Sequence, residues 1–549
     1  MTNKEIARAF QDLASIMELH EENPFKIKTY ANAYITLRKL ETPLQDCTLP
    51  VMQAIKGIGK STAEKIMELL QTGHLKVFQE YAEKTPEGVI KMLQIKGLGV
   101  KKIHAIWKQL GIETIGELLY ACTENRLVAL NGFGTKTQTE IQKTLEYYYK
   151  SENKTHFATV EATANYCVQF LKQMFSNAPI ELVGEMRRKM PIIERVEILL
   201  GLNSLEINLL EGLKTIQKQD NYYLFKPDMI DAAIETAILY VCAPAEFGSK
   251  QFKYTGTRAF LDAFVQKTQG ISFKNLPTET ALFEKANIPY LNPMLRESDY
   301  FLNQPSRPQL VTVADLQGAI HTHTTYSDGL NTLAEMANAA KTKGFKYIGI
   351  TDHSKAAFYA NGLKEDRLYQ QWAEIDALNK TFTDFSILKG IESDILNDGS
   401  LDYTDDILKQ FDFIIASVHT NLKMDIHKAT ARLIKAIENP YTTILGHPTG
   451  RLLLSREGYP IDYQKVIDAC AANRVAIELN AHPYRLDLDW TKIPLAIEKG
   501  VLIGIHPDAH SCAGIDHIKY GIYAAQKGGL ESKNCLNALD VNDFLNYKK

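Results

Sequence analysis

The stretch His321-Thr322-His323-Thr324-Thr325-Tyr326-Ser327-Asp328-Gly329 closes an apolar run and decides how the C-terminal half of the chain folds. Two histidines one residue apart, followed at once by an aspartate, read as metal ligands leaving the tip of a β-strand. Strand alternation puts residues i and i+2 on the same side. A solvated polar turn could carry the same pair, so the weight falls on what comes after it.

What comes after is a recurring unit: a short β-branched or aromatic run, then a histidine or carboxylate, then a helix-like segment. The runs are Phe345 to Thr351 before Asp352-His353, Phe385 to Ile391 before Glu392, and Phe411 to Ser417 before His419. Thr442 to Gly446 before His447, Val475 to Leu479 before Asn480 and His482, and Val501 to Ile505 before Asp508 and His510 complete the series. Strands alternating with helices imply a parallel sheet or barrel, and in a (β/α) barrel the loops after the strands converge on one face.

Nine residues of ligand type fall on that face: His321, His323, Asp328, His353, Glu392, His419, His447, Asp508 and His510. One transition-metal ion takes about four to six ligands, so nine imply two or three divalent ions. No cysteine is among them, which favours Mn²⁺, Zn²⁺ or Fe²⁺ over a thiolate structural site.

At 549 residues the chain has room for about three or four domains. A formal net charge of −3 excludes a uniformly basic nucleic-acid binder, so any contact with nucleic acid would have to come from local patches. Seven scattered cysteines without a CxxC read as reduced residues of a cytoplasmic protein. No signal peptide begins at Met1, and no apolar run is long enough to span a bilayer.

Residues 1–150 are helical in pattern and hold an internal repeat. Gly57-Ile58-Gly59, Gly97-Leu98-Gly99 and Gly132-Phe133-Gly134 each follow an apolar helix end and precede a Lys- or Thr-rich helix start, roughly 35 to 40 residues apart. A glycine-flanked hairpin opening a helix turns backbone N–H groups outward toward a phosphate diester, with Lys56, Lys60, Lys96, Lys101, Lys102 and Lys136 beside it. This is a helix-hairpin-helix signature, which reads backbone and not bases. With 20 Lys/Arg against 17 Asp/Glu in this region, the expected affinity is modest and non-specific.

The stretches Asp352-His353-Ser354, Gly390-Ile391-Glu392, Ser417-Val418-His419, Leu445-Gly446-His447-Pro448-Thr449-Gly450-Arg451 and Asp508-Ala509-His510 resemble the PHP (polymerase and histidinol phosphatase) domain. Across nearly its whole length the chain resembles a bacterial family X DNA polymerase with such a domain at the C-terminus. The resemblance implies a multidomain chain. Residues 1–80 would form a helical lyase-like domain with the first hairpin, 81–150 a fingers-like DNA-binding region, and 151–240 and 241–303 an α+β nucleotidyltransferase-like palm and thumb. A linker would follow at 304–310, then a distorted (β/α)₇ barrel over 311–549. It further implies a trinuclear Mn²⁺ or Zn²⁺ centre on the nine ligands with Glu392 bridging, and 3′-5′ exonuclease or abasic-site phosphodiesterase activity.

In the same frame the stretch Asn23-Pro24-Phe25-Lys26-Ile27-Lys28-Thr29-Tyr30 resembles the family's small lyase domain. The Schiff-base lysine falls on Lys65, and the 5′-phosphate contacts fall on Lys26 and Tyr30. A neutral lysine amine serves there by attacking the aldehyde of an abasic sugar. The competing reading of Lys65 is a solvated helix lysine.

The palm departs from the family where chemistry matters. Its Gly-Ser, two arginines and two catalytic aspartates become Gly184-Glu185-Met186-Arg187-Arg188 and Glu194-Arg195-Val196-Glu197-Ile198. Arg195 and Glu197 hold the aspartate positions, and Ile238 holds the third. Two-metal phosphoryl transfer needs clustered carboxylates, so polymerase activity is expected to be lost.

The leading expectation is a DNA repair enzyme hydrolysing DNA phosphodiesters on gapped, nicked or abasic DNA, a monomer, with Arg451 and Arg485 as candidate phosphate clamps. The alternatives are a residual gap-filling polymerase with a processing barrel, a non-catalytic binder of damaged DNA, and a small-molecule phosphatase of the histidinol-phosphate kind.

Overall fold

A computed structural model describes residues 1–40, 42–95, 97–123, 126–151, 154–203, 214–219, 222–226 and 236–547. The chain divides into two compact units, Met1–Glu152 and Asn153–Lys549.

The first unit is helical. Helix Asn3–Leu19 starts in a capping box, where Thr2 and Glu5 bond each other's backbone, and buries Ile6, Phe10, Leu13 and Met17 along one face. That spacing is the apolar stripe of an amphipathic helix. Helix Pro24–Leu37 is capped by Asn23 with Pro24 in its first turn. The three Gly-x-Gly repeats share one geometry. In each the first glycine is left-handed (Gly57 φ +95°, Gly97 φ +94°, Gly132 φ +82°). Its apolar neighbour is buried and bonds back three residues: Ile58 to Ile55 at 3.0 Å, Leu98 to Ile95 at 3.1 Å, Phe133 to Leu130 at 3.0 Å. The second glycine lies immediately before helices Lys60–Thr72, Val100–Leu110 and Thr135–Ser151.

The second unit opens with an α/β region. Its short ribbon pairs β1 (Thr155–His156) with β3 (Ile192–Ile193). A five-stranded mixed sheet runs β2-β4-β7-β6-β5, built from β2 (Ile180–Val183), β4 (Val196–Gly201), β5 (Lys214–Lys218), β6 (Tyr223–Lys226) and β7 (Ala237–Cys242). Only β4 and β7 pair in parallel. A helical segment follows around Phe252, Phe260, Phe264 and Phe283.

The C-terminal part is a barrel of seven parallel strands in sequence order: β8 (Gly318–Thr322), β9 (Tyr347–Ile350), β10 (Ser386–Asp394), β11 (Phe413–Ser417), β12 (Ile444–Leu445), β13 (Ala476–Asn480) and β14 (Ile503–His506). Each strand lies within or beside the run expected for it. The strands are almost wholly buried because helices cover the outside and side chains fill the inside, which explains their continuous apolar character. Phe413 fills the interior where two glycines make room: a Cβ on Gly349 or Gly390 would lie 2.5 or 2.4 Å from its ring. The ring of strands meets itself at its C-terminal mouth, where His323 N bonds Ala509 O at 2.9 Å and Ala509 N bonds His321 O at 3.1 Å.

Ion pairs tie the α/β region, the helical segment after it and the barrel to one another. Arg187 binds Glu279 at 2.8 Å, Arg188 binds Glu297 at 2.9 Å, and the fully buried Lys527 of the barrel binds Glu297 at 2.5 Å. Both arginines are committed to these internal ion pairs. Among the described residues no helix is long and apolar enough to cross a membrane.

Candidate metal centre

The barrel mouth gathers all nine expected ligands. Glu392, at the C-terminal half of β10, is the hub. His353 Nδ1 and His447 Nε2 stand 3.0 Å from its carboxylate, His419 Nε2 3.1 Å, His321 Nε2 3.3 Å and His323 Nε2 3.7 Å. Asp508 Oδ1 lies 3.3 Å from His323 Nε2 and 3.7 Å from His321 Nε2. Asp328 reaches His510 Nε2 at 3.4 Å and His353 Nε2 at 3.7 Å.

The residues fit metal ions on three counts. Ligand-type side chains fall into overlapping sets whose ligand atoms lie within 4.8 Å of one another, among them His323-Asp328-His353-His510, His321-His323-Asp508 and His353-Glu392-His419. His321 Nε2 and both ring nitrogens of His323 are buried with no hydrogen-bond partner, an arrangement proteins avoid unless the lone pair serves another purpose. The donors are nitrogen and oxygen, suited to borderline or hard divalent ions.

Electrostatics agree. Burial by itself would push the Glu392 carboxyl up, but the His419, His321 and His353 imidazoles outweigh it and hold it well below the usual carboxylate range. Burial pushes His419 down, yet Glu392 and Asp394 hold its imidazole up at about 10. For Asp328, burial is outweighed by His510, His353 and His323, which bring the carboxyl down to about 2.

A second ring of carboxylates, absent from the sequence reading, orients these ligands. Glu478 on β13 takes His321 Nδ1 at 2.5 Å and His506 Nδ1 at 3.1 Å, and Asp394 takes His419 Nδ1 at 2.5 Å. Such partners fix which ring nitrogen faces the metal. Asp352 accepts from Thr324 N at 2.8 Å, Ser327 Oγ at 2.5 Å and Gln371 Nε2 at 2.6 Å, which pins the loop that carries Asp328. The signal that could have found Glu478 is a charge inside the otherwise apolar strand Ala476–Asn480.

His321 and His323 do not converge by plain alternation. His321 sits at φ +65°, and the ladder with β9 shifts register between Ala319 and Thr322. A bulge of this kind re-aims a side chain at a barrel rim.

The two candidate clamps part ways. Arg485 Nε stands 3.9 Å from Asp508 Oδ2, facing the cluster. Arg451 instead binds Asp489 at 2.5 Å and the carbonyls of Arg485 and Leu486, so it holds the loop and is not directed at a diester. His482, unassigned from sequence, lies at the rim against Tyr484 and His517.

In the α/β region, Glu197 and Ile238, read from sequence as standing at two of the three aspartate positions, are register partners on β4 and β7. Glu197 accepts from Tyr240 Oη at 2.8 Å and packs so closely on Gly184 that a Cβ there would lie 2.0 Å from its Oε2. Arg195 is exposed. Among the described residues, no group of three ligand-type side chains occurs in the α/β region.

In the first unit the hairpin glycines Gly59, Gly97, Gly99, Gly132 and Gly134 face open space, while Gly57 backs onto Thr36. Lys60, Lys101 and Lys136 are exposed and Lys102 half-exposed beside them; Lys96 lies outside the described residues. Lys26 is exposed near Glu22. Lys65 is half-buried with Nζ 4.0 Å from Glu68, so it is not the freely solvated lysine of the competing reading. Tyr30 is half-buried beside Ser61.

Comparison with known proteins follows this division. Residues 1–75 match a helix-hairpin-helix domain, 89–146 a SAM-like helix-hairpin-helix tandem, and 319–482 the PHP domain. The barrel part is 31% identical over 242 residues to a probable phosphatase of Thermoanaerobacter sp. (strain X514), covering 42% of this chain and 93% of that one. It is also 30% identical over 248 residues to a probable phosphatase of Caldanaerobacter subterraneus subsp. tengcongensis, covering 42% and 91%. The DNA polymerase/3'-5' exonuclease PolX of Bacillus subtilis (strain 168) is 32% identical over 571 residues and spans 100% of both chains. With hairpin unit, α/β region and histidine-lined barrel aligned end to end, the chain belongs to the bacterial family X DNA polymerases that carry a C-terminal PHP domain.

Proposed function

We propose that this protein is a DNA repair enzyme whose barrel hydrolyses phosphodiesters at 3′ ends and abasic sites, while its palm no longer polymerises. The observation that carries the reading is the Glu392 carboxylate with five imidazoles within 3.0 to 3.7 Å of it. All nine residues, His321, His323, Asp328, His353, Glu392, His419, His447, Asp508 and His510, would hold two or three Mn²⁺, Zn²⁺ or Fe²⁺ ions. Such ions lower the pKa of water toward neutrality and carry the charge that grows on phosphoryl oxygens. Glu478 and Asp394 keep the ligand imidazoles turned inward, Asp352 holds the Asp328 loop, and Arg485 binds a non-bridging oxygen of the diester.

Against polymerisation stand Ile238 and the engaged Glu197, together with Tyr240, whose ring stacks on Tyr254 at 4.1 Å over the same end of the sheet. The hairpin glycines and their lysines would hold the backbone of gapped, nicked or abasic DNA without regard to sequence. Lys65, beside Tyr30's helix, is the candidate lyase nucleophile. We read the protein as a cytoplasmic monomer.

A labelled recessed primer incubated with protein, Mn²⁺ and nucleotides tests this. Shortening without extension is expected, and His323→Ala should abolish it while leaving DNA binding intact. Robust extension without shortening would overturn the reading. Because the barrel aligns with probable phosphatases over most of their length, a phosphomonoester is the second substrate to test. Faster turnover of that substrate than of DNA would favour the phosphatase reading.

A further inference from the structure

The loop after β13 carries two consecutive residues of different chemistry at the lip of the metal centre. Arg485 faces Asp508 at 3.9 Å. The residue before it, Tyr484, keeps 46% of its surface exposed. An exposed tyrosine on a polar loop ordinarily turns freely, but this one is held from both ring and backbone.

The His156 ring lies 4.2 Å from the Tyr484 ring at 36°, and the His482 ring meets it at 5.4 Å in an edge-on arrangement. Leu453 N donates to Tyr484 O at 2.8 Å, and Tyr484 N bonds His482 Nδ1 at 3.2 Å. His156 is itself anchored through Nε2 to Leu453 O at 3.0 Å. His156 belongs to β1, in the α/β region, 297 residues from Leu453 in sequence. The α/β region thus supplies a brace at the barrel's lip.

A braced, half-exposed aromatic ring one residue from a cation matches the two parts of a nucleotide. The guanidinium suits the phosphate, and the ring suits the base, whose π-face any aromatic can stack on whatever its identity. A ring fixed beforehand loses little entropy on stacking. We propose that Tyr484, braced by His156, is the platform on which the base next to the cleaved phosphate stacks, so that the α/β region takes part in positioning the substrate. This rests on the reading of the barrel as a DNA phosphodiesterase.

The test compares full-length wild type, Tyr484→Ala, Tyr484→Trp and His156→Ala on two oligonucleotides. One ends in ordinary nucleotides; in the other the last two are abasic tetrahydrofuran residues. Stacking is worth roughly tenfold or more in affinity per base. Tyr484→Ala should therefore raise KM about tenfold on the first substrate and leave the second unchanged, Tyr484→Trp should retain wild-type values, and His156→Ala should shift KM the same way by less. In chelator, a terminal 2-aminopurine bound to wild type should be quenched, and the quench should be lost in Tyr484→Ala. Equal losses on both substrates, or no loss on either, would overturn the platform alone. Wild type inactive on both would overturn the hydrolase reading and the platform with it.

Discussion

Glu478 and His321 meet across the barrel with Oε1 2.5 Å from Nδ1, both side chains fully buried. The same carboxylate receives His447 N at 2.7 Å and His506 Nδ1 at 3.1 Å. The placement of two candidate ligands, His321 and His447, therefore depends on one acid that has its oxygens turned to the protein. Glu478→Gln keeps the shape but loses the charge that fixes the His321 tautomer. Metal affinity should fall about 10- to 100-fold, read as metal content by mass spectrometry after dialysis against graded chelator. Wild-type retention of metal would show that His321 needs no such partner.

Protonation of the ligand imidazoles sets a pH dependence that metal should reverse. Burial lowers the His419 and His510 imidazoles, but the carboxylates beside them prevail and raise them to about 10 and about 9. A histidine raised in the folded state contributes stability that is fully present below its unfolded value near 6.5 and is lost as pH rises through the folded value. Chelator-treated protein should accordingly lose thermal stability between about pH 6.5 and 10. Metal-loaded protein should gain stability as pH rises from about 6 to 8, because binding releases those protons. Melting curves across pH with and without chelator check both slopes; parallel curves would refute the linkage.

The hairpins allow fold and binding to be separated one glycine apart. Gly97 is left-handed, so Gly97→Ala should cost about 1–2 kcal/mol of stability in the helical unit. Gly99 has ordinary φ and open space where a Cβ would go, so Gly99→Ala should fold normally. Its methyl group would nonetheless stand where a phosphate backbone must approach, and DNA affinity should drop severalfold. Fluorescence anisotropy with labelled duplex, paired with thermal melts, gives both readouts.

Glu279 lies between Arg187, at 2.8 Å, and Arg296, at 2.7 Å, with Arg296 wholly buried. Glu279→Ala strands two guanidinium groups and should destabilise the second unit by about 3–5 kcal/mol. Arg187→Ala should leave the salt dependence of DNA binding unchanged, whereas a phosphate contact would reduce the slope by about one. A reduced slope would return Arg187 to the DNA surface.

How much of this was legible beforehand differs from residue to residue. The barrel could be read because each strand announces itself locally, by an apolar run ending in a ligand, and parallel topology then forces those ends to one face. The nine side chains that the barrel mouth gathers were named that way, and so were the three hairpins, whose first glycines are demanded by a left-handed turn. The fates of Arg187, Arg188 and Arg451 could not be read, since an arginine's sequence neighbours are the same whether it faces DNA or a buried carboxylate.

The sequence by itself determined the order of strands and helices, the ligand chemistry and the repeat, all of which follow from backbone preference and short-range periodicity. Only the tertiary structure decided that Glu478 serves His321 across 157 residues, that a bulge with left-handed His321 turns both histidines inward, and that His156 braces Tyr484 from another region. Those relationships arise when a closing ring of strands and a packed neighbour bring distant side chains within bonding distance, and no local pattern encodes that distance.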